Sequence, residues 1–278
     1  MVFSTHHASS EEPRSVPYRA TVDVPHELVE HVFWLIYARR CERRSRWRKP
    51  GCFQQALLAL VHLRTNEPPP ALAAGFGIST ATAWRYLDET LDVLAAWASG
   101  LHEALTGLGE GDFVIVDGTL IPIDRIAADE SYYSMKHRKH RKHGMNVQVI
   151  ARPDGTPLWF SRATPGRTHD NTAARHDHIL ARLRAAGLGA LADLGFRGLD
   201  NDVLAPVIVT GFHASRTHKL TPGQKTANRV LAVGRAPVEH GFAHLKNWRT
   251  LTKLRTDPAR ATGLLRALLV LTNLEVSR

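Results

Sequence analysis

Three residues in the C-terminal third of the chain could act together on a phosphate ester: Arg235, Glu239 and Lys246. A helix turns ~100° per residue, so positions 239 and 246 point nearly the same way, and Arg235 lies on or just ahead of that face. A carboxylate between two cations near a helix start is a poor way to build a core. It suits a metal-binding carboxylate whose neighbours grip phosphates, Lys246 as a point charge and Arg235 as a planar fork. Two more acids stand in comparable places. Asp117 directly follows the apolar run Phe113–Val116, Asp193 directly follows Leu188–Ala192, and each precedes a glycine-bearing turn. The carboxyl ends of buried strands are common sites of α/β chemistry. Neighbouring parallel strands would bring the two acids close, a like-charge arrangement that a divalent cation offsets. Hard oxygen ligands without cysteine favour Mg2+ or Mn2+ over zinc. With Glu239 added, the ligands suffice for two ions ~3.5–4 Å apart.

Asp170 competes with Asp193 for the second acidic position. It belongs to His169-Asp170, followed by His176-Asp177-His178. On a helix starting at Asp170 the two later histidines diverge by ~200°, so the set does not converge on an ion. Asp170 reads better as a helix cap, with a metal role as the alternative. The loop Lys136–His143 offers Lys136, Arg138, Lys139, Arg141 and Lys142 as DNA-backbone contacts, against the plainer reading of a solvated charge run. A second basic run, residues 39–49, holds seven basic residues in eleven.

Those side chains need a scaffold, and the sequence suggests one in two parts. At 278 residues the chain can bury a real core. Its net charge is +10, and the charge is uneven: residues 1–110 carry 11 basic against 12 acidic side chains, residues 111–278 carry 25 against 14. The excess cation therefore accompanies the candidate acids, which points to a polyanionic partner. Only Cys41 and Cys52 occur, too few for a zinc site or a disulfide framework. The longest apolar run, Leu264–Leu274, contains Arg266 and is too short to span a bilayer. A cytoplasmic, nucleoid-associated protein without a membrane partner is expected.

Residues 1–24 lack periodicity and read as a flexible tail. Residues 25–110 read as helical: His26–Arg40, residues 53–66, Ala71–Phe76, and a further helix from about Ser79 extending through Leu91–Leu105. The turn Gly75–Thr80 makes a helix-turn-helix pattern, whose second helix would present Ser79, Thr80, Thr82 and Arg85 to a major groove. Ile78, Leu87 and part of Trp84 would pack inward. Residues 111–278 change period: strands at Phe113–Val116, Met145–Ile150, Leu158–Phe160, Leu188–Ala192 and Val207–Val209. An Asp154-Gly155 turn joins the second and third. Helices are expected at Asp170–Ala186, Pro237–Trp248 and Pro258–Leu274.

Residues 113–250 resemble the DDE transposases of bacterial insertion sequences, in particular the insertion-sequence-five-like group related to Harbinger-type elements. The signature Tyr-x2-Arg-x3-Glu-x6-Lys is matched at Arg235, Glu239 and Lys246, with Ala232 at the tyrosine position. Val116–Ile123 is similar to the family's first-aspartate strand and Ala192–Gly198 to its second. Lys136–Asn146 and Pro165–Asp170 are similar to the blocks between them, and the likeness extends over about residues 50–275. The resemblance implies an α/β ribonuclease-H-like nuclease domain preceded by an all-α helix-turn-helix domain. It implies Asp117, Asp193 and Glu239 as catalytic metal ligands, and double-stranded DNA, both element ends and target, as substrate. It further implies 3′-hydroxyl joining and a homodimer or larger assembly on DNA. A DNA-binding regulator with an inert nuclease domain and a stand-alone metal-dependent endonuclease are the alternatives.

Overall fold

The structure is a computed structural model that describes residues 23–44, 51–109, 111–124, 130–134 and 142–276. Lys136, Arg138, Lys139 and Arg141, residues 45–49 of the earlier basic run, and residues 1–22 of the expected tail lie outside the described residues.

The N-terminal region is helical: α1 (His26–Glu42), α2 (Cys52–Thr65), α3 (Pro69–Gly75), α4 (Thr80–Ala96) and α5 (Leu101–Thr106). Local chemistry sets the boundaries. α2 stops where Asn66 turns left-handed at φ 61, ahead of three prolines that cannot continue a helix. Pro69 then opens α3, where its missing N–H is no loss. Gly77, at φ 63, makes the α3–α4 turn, and Ser79 caps α4 by accepting from the Thr82 N–H at 3.2 Å. The single helix expected from Ser79 to Leu105 is broken between Ala96 and Leu101 by the Ser99-Gly100 pair. Trp84 packs inward only in part and is 47% exposed.

The remaining chain builds a mixed sheet of seven strands: β1 (Phe113–Pro122), β2 (Tyr133–Ser134), β3 (Lys142–Ala151), β4 (Pro157–Phe160), β5 (Thr164–Pro165), β6 (Gly189–Ala192) and β7 (Ile208–Val209). The order is β2-β3-β1-β6-β7, with β4 and β5 also paired to β3. β3 is antiparallel to β1, and β6 and β7 run parallel to it. β1 extends six residues beyond the apolar run that marks it in the sequence, because β3 pairs with it from Ile115 to Pro122. Between β5 and β6 come α6 (Asp170–His176) and α7 (Ile179–Ala185). They replace the one expected helix, broken at His178, which adopts φ 55. α8 (Pro222–Arg235), α9 (Pro237–Lys246) and α10 (Pro258–Val276) follow β7.

Both faces of the sheet are covered, by two apolar clusters. On one face Val114, Val116, Ile150, Ala190 and Ala192 meet Ala174, Ile179 and Leu183 of α6 and α7 and Leu105 of α5. On the other, Ile115, Ile121, Val147 and Val149 share one core with α1, α2, α4, α9 and α10. α10 is the keystone: Leu265, Leu268 and Leu271 are fully buried, and the helix lies against both α4 and β4. Among the described residues no helix is long and apolar enough to cross a membrane.

Candidate active site

Strand register brings the first two acids together. Val116 of β1 pairs with Ala192 of β6 in parallel, so the next residues, Asp117 and Asp193, emerge side by side. Asp117 lies mid-strand, where β1 continues on its antiparallel edge alone, while β6 has ended. Each carboxylate is tied to the glycine that follows: Asp117 Oδ1 accepts from the Gly118 N–H at 2.9 Å and Asp193 Oδ1 from the Gly195 N–H at 2.8 Å.

Asp170 joins them. It is the first residue of α6 and only 8% exposed. The cap of α6 is His169, whose ring nitrogen accepts from the Asn171 N–H; the expected capping role for Asp170 is replaced by burial against the sheet. Asn146 Nδ2 donates to Asp170 Oδ1 at 3.1 Å and Gln148 Nε2 to its main-chain oxygen at 2.6 Å. A Cβ on Gly118 would stand 2.8 Å from Asp170 Oδ1. One on Gly195 would stand 2.6 Å from Asp170 Oδ2 and 2.8 Å from Asp193 Oδ1. Both glycines are therefore required by the space that Asp170 and Asp193 occupy.

The electrostatics follow. Burial pushes the Asp117 carboxyl up to about 6; Arg235 and the Gly118 N–H oppose that rise, and Asp193 and Asp170 add to it. Arg235 ends α8, with Nη2 3.4 Å from Asp117 Oδ1. Its Nε is buried and has no hydrogen-bond partner among the described residues, so one donor of the fork remains beside the acids.

Glu239 occupies the first turn of α9 and is exposed. Ala236 separates α8 from α9, so Arg235 stands at the end of one helix and Glu239 and Lys246 on the next. α9 is seated by Val238 and Leu245 in the core beneath Asp117's face of the sheet. Gly241 rests on the main chain of Gly155 in the β3–β4 turn. Lys246 ends α9 and is exposed. Among the described residues, no three Asp, Glu, His or Cys side chains are grouped closely enough to hold a metal ion. Ala232, at the tyrosine position of the signature, is exposed on α8. Lys142 opens β3.

Ser79, Thr80, Thr82 and Arg85 lie together at the start of α4, where Ser79, Thr80 and Arg85 are exposed and Thr82 is half-buried. Arg85 Nη2 donates to Thr82 Oγ1 at 3.1 Å. Tyr86, Leu87, Val93 and Leu94 bury the other side. Sequence reasoning passed over Asn146 and Gln148, which are 2% and 0% exposed. Their signal was two amides alternating with apolar residues inside a strand, where a buried amide needs a partner.

Residues 116–273 match the family described as DDE superfamily endonuclease, and residues 51–99 match the family described as helix-turn-helix of DDE superfamily endonuclease. The chain belongs to the DDE superfamily endonucleases. Similarity also extends to a protein of Streptomyces albus G described as the transposase for insertion sequence element IS112. It is 28% identical over 203 residues, covering 72% of this chain and 71% of that one. Within this DDE endonuclease, the family match begins at Val116, beside the first acid, and takes in all four acidic positions together with Arg235 and Lys246.

Proposed function

We propose that this DDE endonuclease is the transposase of an insertion element, cutting the element's ends and joining the released 3′-hydroxyl to target DNA. The observation that carries the reading is Asp117: a half-buried strand carboxylate pushed up to a pKa of about 6 beside two more acids, with one arginine on it. Such a centre is poorly neutralised by protein alone, and its hard oxygen ligands fit Mg2+ or Mn2+. Asp117 and Asp193 would hold the cation, with Glu239 of α9 as the proposed third ligand and a second ion as the fuller form of the site. When bound, the ion supplies charge neutralisation and Lewis acidity to the phosphodiester.

The chain's own residues do the positioning. Arg235 lies against Asp117 through Nη2, its planar guanidinium suited to a phosphate oxygen brought to the acids. Lys246, at the far end of α9, adds a second cation to the same run of DNA. Asn146 and Gln148 fix Asp170, so the acidic floor does not collapse as charge develops. Residues 25–110 serve as the DNA reader, through the start of α4, and residues 111–278 as the nuclease. The strand order, with an antiparallel hairpin on one side of β1 and parallel strands on the other, supports a ribonuclease-H-like arrangement for the latter. Joining two ends calls for at least two copies on the DNA.

The test uses purified protein, Mg2+ or Mn2+, and a duplex carrying the DNA that flanks the gene on either side. Metal-dependent end cleavage followed by a joined plasmid product is expected. Binding without cleavage would point to a regulator, and cleavage without joined product to a stand-alone nuclease. Asp117→Asn, Asp193→Asn and Glu239→Gln should each lower cleavage on the order of 10²–10³-fold or more with DNA binding intact. Substantial residual activity in any one of them removes that residue from the set.

A further inference from the structure

The segment between the second and third acids of the site has a property the reaction does not explain. From Val203 to Val238 there is no Asp or Glu, while Arg216, Lys219, Lys225, Arg229 and Arg235 all fall there. It is also well built. Both arms of the Asn228 amide clamp Phe212, accepting from its N–H at 2.7 Å and donating to its carbonyl at 2.9 Å. Thr221 and Gln224 close a reciprocal cap on α8. Yet α8 buries none of its fourteen residues. Its inner side, with Asn228 and Arg235, faces the loop and the acids. Its outer side carries Lys225 and Arg229 one turn apart, with Val230 and Val233 66% and 69% exposed. Like charges at i and i+4 destabilise an isolated helix. Among the described residues, Arg216, Lys219, Lys225 and Arg229 make no ion pair with a carboxylate.

We propose that the outer face of α8 and the loop Phe212–Leu220 form a DNA-backbone surface leading to the acidic centre, separate from the helix-turn-helix. The proposal rests on the reading of the chain as a DNA-cutting enzyme. Charge complementarity selects the partner: a surface with four cations that meet no carboxylate among the described residues fits a phosphate backbone. Continuity selects the place: α8 ends at Arg235, 3.4 Å from Asp117. Duplex DNA on this face runs its backbone toward the acids, and the apolar valines lie against the sugars.

The test is the salt dependence of binding to a fluorescein-labelled 30-base-pair duplex of random sequence, for the full chain and for Lys225→Ala/Arg229→Ala. Losing two phosphate contacts lowers the slope of log K against log salt by about 2 and weakens binding roughly tenfold at low salt. Lys225→Ala/Arg229→Lys, which keeps one of the two charges, should restore about half of the slope lost in the double alanine variant. An unchanged slope in a double variant with unaltered circular dichroism overturns the proposal. If wild-type protein binds no duplex, the reading of the chain as a DNA enzyme fails first. If Val230→Ser/Val233→Ser converts a dimer to a monomer while the double variant keeps its slope, the face joins two copies of the chain, and the proposal is wrong.

Discussion

Asp170 leaves no room for a side chain at Gly118 or at Gly195, so the acids and the glycines behind them form one unit. Neither glycine has positive φ, and the requirement is purely one of space. Gly195→Ala therefore forces Asp170 or Asp193 to move; a loss of about 1–3 kcal/mol is expected, with cleavage falling more than tenfold. Urea unfolding and an end-cleavage assay read the two effects separately. Asp117 gives a second prediction, in metal-free protein. Its folded pKa of about 6 lies above the unfolded value of 3.8. Between these values the native state binds more protons than the unfolded one, so stability falls as pH rises through the window. The change is on the order of 3 kcal/mol, at ~1.4 kcal/mol per unit. Asp117→Asn should flatten this slope from pH 4 to 7, raising the melting temperature at pH 8 in EDTA while abolishing cleavage. A slope retained in the variant would locate the titration elsewhere.

α9 reaches its place through the β3–β4 turn, where Gly155 adopts φ 92 and backs onto the Pro237 main chain. Gly155→Ala meets both a strained backbone and an occupied space, so it should displace α9, and Glu239 with it. Cleavage is expected to fall with DNA binding preserved, a split that parallel gel-shift and cleavage assays would show. That turn was legible in the sequence as Asp154-Gly155 between two apolar runs. So were α1, α2, α9 and α10, whose apolar spacing is strong, and the side-by-side placement of Asp117 and Asp193. The full length of β1 was not, because Gly118 and Pro122 read as punctuation; pairing with β3 over the whole strand overrode them. The break at His178 was hidden too, since histidine carries no turn signal and tertiary packing sets its φ. α8 was missed for a different reason: it buries nothing, and Gly223 and Gly234 are poor helix formers. Glu239 was the acid most plainly marked by spacing, and Asp170 the hardest to assign. Spacing marks a helix face, whereas only the fold shows that two strand amides hold Asp170.

At the scale of the whole molecule, the reader helices and the catalytic sheet do not have separate interiors. α4, which carries the candidate DNA contacts at one end, buries Val93 and Leu94 in the core that also holds Ile115 and Val149. Arg64 of α2 pairs with Glu275 near the end of α10 and lies over the Trp248 ring at 4.1 Å. The Trp248 N–H in turn donates to Thr272 at 3.0 Å, fully buried. Thr272→Val strands that donor at a cost of about 1–3 kcal/mol, and the loss should appear in both regions at once. Thermal unfolding followed by calorimetry and by tryptophan fluorescence should give one coincident transition. Two resolved transitions would show that the regions fold apart.

The position of α10 also orders events during synthesis. Residues 258–276 come late among the described part of the chain, yet they complete the packing of α4. Until they emerge, the nascent helix-turn-helix has exposed leucines in place of a core. A polypeptide cut short by a premature stop before α10 would then be a substrate for proteases rather than a stray DNA binder.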